Sequence, residues 1–144
     1  MLNKSVIIGT TLALFSLPFI AQADLYTTNN TDKYSSAKLT APSAPPYNCS
    51  GTAPNDVGIT KPNEQNHLTL SKDVKGLCNL TVPCVANIVM EDTHADAVGC
   101  NGLIIAKATI NDFSTDVVSK IEPVAGSGYT VTGAGTNKIT ISKG

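Results

Sequence analysis

Residues 103–110 read Leu103-Ile104-Ile105-Ala106-Lys107-Ala108-Thr109-Ile110. Ile104, Ala106, Ala108 and Ile110 fall on one face of an extended chain, with Lys107 and Thr109 on the other. That is the period of two expected of a strand. Upstream, Cys84-Val85-Ala86-Asn87-Ile88-Val89-Met90 is a denser apolar run, suited to a strand covered on both faces. Downstream, Asn111-Asp112 marks a turn and Val117-Val118-Ser119-Lys120-Ile121 a further strand, ended by Pro123. Ala125-Gly126-Ser127-Gly128 turns the chain into Tyr129-Thr130-Val131-Thr132. Residues 133–137 turn it again into Lys138-Ile139-Thr140-Ile141-Ser142, whose polar face suits a strand at a solvent edge. Earlier, His67-Leu68-Thr69-Leu70-Ser71 also alternates.

Beyond residue 23 the chain holds ten valines, eight isoleucines and fifteen threonines. These β-branched residues lose rotamer freedom in helices and suit a pleated surface. Short strands separated by Gly/Asn turns point to an all-β fold, a small antiparallel β-sandwich, immunoglobulin-like or related. Six to seven strands, little helix and two disulfides are expected. Between Cys49 and Pro62 the recurring turn formers Gly51, Pro54-Asn55-Asp56 and Gly58 leave no room for a long helix.

The N-terminus carries a different signal. Lys4 precedes an apolar run over residues 6–20, broken by Pro18, and Ala21-Gln22-Ala23 supplies a small-x-small cleavage site. The run is shorter than the roughly 18 residues of a membrane span. Residues 1–23 therefore read as a signal peptide, with Asp24 opening the mature chain and no membrane association after cleavage. Residues 24–46, rich in Ser, Thr, Asn and Pro, read as a flexible leader in which Leu25-Tyr26 or Lys38-Leu39-Thr40 could add a short edge strand. Residues 47–144 form the sandwich domain.

Composition narrows the function. The net charge is −1, all ten basic residues are lysine, and there is no arginine for bidentate phosphate or guanine contacts, so nucleic acid is not a partner. Without tryptophan, stacking platforms for sugars or single strands are scarce. Tyr129 is the aromatic placed in a strand, and it reads as a residue at the boundary of the core. An even number of cysteines in an exported chain implies disulfides among Cys49, Cys78, Cys84 and Cys100, with three possible pairings. Cys78 and Cys84 would stand about 20 Å apart on an extended chain. The favoured pairs are therefore Cys49–Cys78 and Cys84–Cys100. No C-x2-C or C-x4-C knuckle supports zinc instead.

The densest cluster of chemistry is Glu91-Asp92-Thr93-His94-Ala95-Asp96. Glu91, Asp92, His94 and Asp96 could ligate a divalent metal if this segment folded back on itself, or could simply mark a solvated loop. His67 lies on the polar side of its strand, where a solvated imidazole is the default. Ser127 sits in Gly-Ser-Gly, but Ala125 replaces the first glycine of a nucleophile elbow, so Gly126 and Gly128 read as turn residues. Ser35-Ser36-Ala37-Lys38 matches S-x-x-K in spelling alone. Asn29, Asn48 and Asn79 fall in N-x-[ST] matches, and the compact signal with its Ala-x-Ala site reads as bacterial, which would leave those matches idle. No catalytic residue and no cofactor is assigned.

The stretch from Cys84 through Cys100-Asn101-Gly102, then residues 105–110, Tyr129-Thr130-Val131-Thr132-Gly133 and Ile139-Thr140-Ile141, resembles small secreted proteins of unknown function from Legionella-like Gram-negative bacteria. The resemblance implies a secreted, disulfide-bearing β-domain and brings no active site with it. The expectation is a periplasmic or extracellular, monomeric, non-enzymatic interaction module for a protein or surface partner. Two rivals are a small metal-dependent enzyme built on residues 91–96 and a fibre or pilus-like subunit that donates an N-terminal strand.

Overall fold

A computed structural model describes residues 23–41, 48–113 and 117–144. The signal-peptide reading of residues 1–22 and the end of the expected leader lie outside these residues. Eight strands build two four-stranded sheets. They are β1 (Leu25–Asn30), β2 (Tyr34–Ala41), β3 (His67–Thr69), β4 (Cys84–Glu91), β5 (Leu103–Ile110), β6 (Lys120–Pro123), β7 (Tyr129–Thr132) and β8 (Lys138–Lys143). One sheet has the order β3-β1-β8-β7, the other β2-β4-β5-β6. Two short helices, α1 (Ser71–Leu77) and α2 (His94–Gly99), complete the described elements with 3-10 turns at Ser50–Thr52 and Pro54–Asp56. Ile88, Met90, Ile105, Ala106 and Ala108 of one sheet pack against Val131, Ile139 and Ile141 of the other. The arrangement is the expected sandwich, with one strand more than expected.

Residues 24–41 are not a flexible leader. β1 lies inside its sheet, antiparallel to β3 and parallel to β8, and β2 forms the edge of the other sheet beside β4. The parallel β1–β8 pair means that the sandwich is not purely antiparallel, and it places β8 inside the sheet, not at its edge. β1 escaped the hydrophobic pattern because polar groups occupy its buried positions. Asn29 is fully buried, and its amide Nδ2 donates to the carbonyls of Lys33 (2.7 Å) and Lys61 (3.1 Å). Its Oδ1 accepts from the Thr31 amide (3.1 Å) and hydroxyl (2.7 Å). A buried amide with its bonds made costs little, so polarity here is compatible with a core position. Asn29 is thus a structural tie, buried away from any modification. Asp24 also anchors this end, its carboxylate accepting from the Ser71 amide at the start of α1 (2.9 Å).

Two side-chain assignments reverse. Opposite Ile88 and Val89 the register passes from Ala106 to Ile104, so Ile105 is the extra residue of a bulge. Ile105 enters the core fully buried and Ile104 faces outward. Alternation cannot show a bulge, because one inserted residue exchanges the two faces. At β3, Thr69 is buried while Leu68 and Leu70 are exposed, and the chain then turns into α1, which the alternating pattern had concealed.

The disulfides are Cys49–Cys100 and Cys78–Cys84, with Cα atoms 5.8 Å and 5.6 Å apart, which corrects the favoured pairing. Cys78 caps the end of α1, and Asn79 and Leu80 then take left-handed backbone angles (φ 51° and 56°). That reversal brings Cys84 back beside Cys78, so the extended distance never applies. Cys49–Cys100 ties the 3-10 turn at residues 50–52 and α2 onto the outer face of the β2-β4-β5-β6 sheet, where Val89 packs with the two sulfurs. Gly51 has no room for a Cβ because the Ala97 carbonyl of α2 lies against it. β4 is consequently covered on both faces at its C-terminal half, as its apolar run suggested.

Candidate functional site

The segment 91–96 straddles the end of β4 and the start of α2, and its four ionisable groups point to different partners. Glu91 follows Val89 onto the outer face of its sheet, beneath the α2 cover, and is 1% exposed. Asp92 faces the solvent and pairs with Lys33 of the β1–β2 connection. Thr93 caps α2, its hydroxyl accepting from the Asp96 amide (3.2 Å) and donating to the Asp96 carboxylate (2.7 Å). His94, in the first turn, bonds through Nε2 to Asp56 Oδ2 (2.9 Å), and its ring meets that of Tyr34 edge-on at 6.0 Å. Among the described residues no group of three His, Cys, Asp or Glu side chains could hold a metal ion. The metal reading of Glu91, Asp92, His94 and Asp96 is corrected accordingly. Its physical cause is the helix: α2 consumes Asp96 in its own cap and swings His94 toward the 54–56 turn.

Glu91 is the group whose chemistry the fold alters most. The Ser36 hydroxyl donates to its Oε1, and among the described residues nothing donates to Oε2. Burial, reinforced by the nearby Asp96 charge, pushes the carboxyl up to about 7, against the pull of the Ser36 hydrogen bond. A carboxyl that titrates near neutrality has the acidity of a general acid or base. Here it lies beneath α2 and Cys49–Cys100, with Ser36 Oγ also 3.2 Å from Cys100 Sγ, and it borders a surface recess together with Asp92, Asp96, Asn101 and Gly102.

His67 is not a solvated strand histidine. Nε2 donates to the Val57 carbonyl (2.9 Å), and Nδ1 lies 3.0 Å from Glu64 Oε1. Both ring nitrogens thus face acceptors. The Thr69 hydroxyl reaches the same Val57 carbonyl (3.2 Å), so β3 grips the 57–64 segment through two side chains. Spacing alone could not reveal this, since Val57 lies ten residues away in the chain.

The remaining candidates take structural places. Ser127 hydrogen-bonds within its turn to the Tyr129 backbone, between Gly126 and Gly128 at φ 76° and 81°. These angles favour glycine and account for both positions. Ser35 and Lys38 lie three apart on β2 and so face opposite sides, unlike the helical pair that S-x-x-K needs. Tyr129 packs half-buried against the main core. Among the described residues no helix is long and apolar enough to cross a membrane.

Neither protein-family models nor curated proteins match this chain. Among solved structures, it is similar to the crystal structure of the Legionella pneumophila type II secretion system substrate NttC. The two share 21% identity over 86% of this chain and 100% of that one, with a TM-score of 0.55. At that identity the likeness is one of fold: a small sandwich of two four-stranded sheets, here cross-linked by two disulfides.

Proposed function

We propose that the protein is exported and acts outside the cytoplasm as a non-enzymatic binding module for a protein or surface partner. The observation that carries the reading is a pair of disulfides buried in a fold shared with a secreted bacterial protein. Buried disulfides of this kind form and persist in oxidising compartments. The small-x-small site before Asp24 supports the same route, and Asp24 caps α1, so cleavage after Ala23 would leave that contact in place. The groups that could have formed a catalytic or metal centre are each engaged in separate structural bonds. A fibre subunit that donates its N-terminal strand would need that strand for a neighbour, whereas β1 is bonded on both edges within its own sheet.

The test is to express the full chain in a Gram-negative host with and without a functional type II secretion system. The proposal expects a product in the periplasm or medium that begins at Asp24 and carries both disulfides. Its release to the medium should depend on the secretion system. A cytoplasmic product that keeps Met1 and free thiols would refute export. Capture from host and envelope fractions then tests the binding role, and failure with both would count against it.

A further inference from the structure

A cavity of about 100 Å³ lies between the two sheets, on the side bounded by the edge strands β2 and β3 and covered by α1. Ala37 of β2 and Ala86 of β4 stand where a larger aliphatic would fill the space, and Ile88 and Ile141 close its inner walls. No acidic side chain and no lysine lines it. The space is not a sealed packing gap. His67 and Leu77 line both this cavity and a surface groove between the 53–57 segment and α1, with the exposed Leu68 and Leu70 on the groove's flank.

We propose that this cavity is a binding site for a small uncharged apolar molecule, a monocyclic aromatic or short aliphatic in class, that enters past His67 and Leu77. Interiors are normally filled to crystal-like density, and walls without partner atoms forfeit dispersion contacts that an apolar guest restores. Apolar cavities of about 150 Å³ stay dry and take up benzene or xenon, and this one is of that order with an opening at one end. The wall hydroxyls of Ser36, Ser50 and Thr69 donate to Glu91, the Gly58 carbonyl and the Val57 carbonyl, so a charged guest would lose its hydration without a carboxylate or lysine in the wall to offset it. His67 has both nitrogens committed to Val57 and Glu64, so it borders the entrance as an apolar ring edge and offers no free polar atom. The cavity's chemistry is independent of the compartment in which the protein works.

The experiment titrates methyl-labelled, disulfide-bonded protein with benzene, and with tert-butylammonium as a charged control of similar size. The expected result is saturable shifts at the methyl groups of Ala37, Ala86, Ile88 and Ile141, with no such response to the cation. Ala86→Leu fills the cavity and should weaken benzene binding at least tenfold. Should that variant fail to fold, Ile88→Ala decides the matter, because it enlarges the space and should admit naphthalene, which the wild type excludes. Absence of saturable shifts in the wild type, a response confined to the outer groove, or naphthalene excluded from Ile88→Ala would overturn the assignment.

Discussion

Replacing Glu91 by glutamine isolates the energetic consequence of burying a carboxyl. In the unfolded chain the group titrates near its ordinary value of 4.5, and in the folded protein near 7. Folding therefore binds a proton between these two values. The sign follows: stability from this group is fully present below pH 4.5, falls as pH rises through 7, and is flat above. A difference of this size corresponds to about 3 kcal/mol at 1.36 kcal/mol for each unit. Glutamine keeps an oxygen to accept from Ser36 and carries no charge at any pH. Glu91→Gln and wild type should have similar stability at pH 4.5, and the variant should be the more stable by about 3 kcal/mol at pH 8.5. Urea midpoints measured from pH 4 to 9, with the disulfides intact, give the comparison. Carboxylates that titrate below their usual range, such as Asp32, Glu64 and Glu122, are common to both proteins and cancel in the difference. A difference curve that stays flat from pH 4.5 to 8.5 would show that the Glu91 carboxyl is solvated, and the burial argument would fail.

Three further outcomes follow from the geometry. Cys49–Cys100 spans 51 residues and Cys78–Cys84 only 6, so by loop entropy the paired alanine variants should cost about 4 and about 2 kcal/mol in denaturant titrations; equal losses would contradict that ordering. Ile105→Ala should cost about 2–5 kcal/mol and Ile104→Ala less than about 1 kcal/mol, and the reverse order would place the bulge elsewhere. Asn29→Ala strands the Thr31 amide and the carbonyls of Lys33 and Lys61, for a loss of about 2–4 kcal/mol in thermal or urea unfolding; a neutral result would mean that the tie is not formed.

The sequence by itself determined the fold class. Period-two patterning in residues 103–110, 129–132 and 138–142 and the dense apolar run over 84–90 mark extended chain with one or both faces covered, and the strands stand where those signals put them. The turn roles of Gly126 and Gly128 were legible for the same reason, since a left-handed backbone angle is a local demand. What depends on partners distant in the chain was not legible. β1 looked like linker because Asn29 earns its burial only through bonds to residues 31, 33 and 61. Cysteine pairing turned on a local chain reversal at Asn79 and Leu80, and the inward face of β5 on a single bulged residue. The acidic segment looked like a ligand set because spacing records neither the cap that takes Asp96 nor the helix that covers Glu91. Local preference is written residue by residue, whereas hydrogen-bond satisfaction, register and desolvation exist only once the sheets and α2 are packed together.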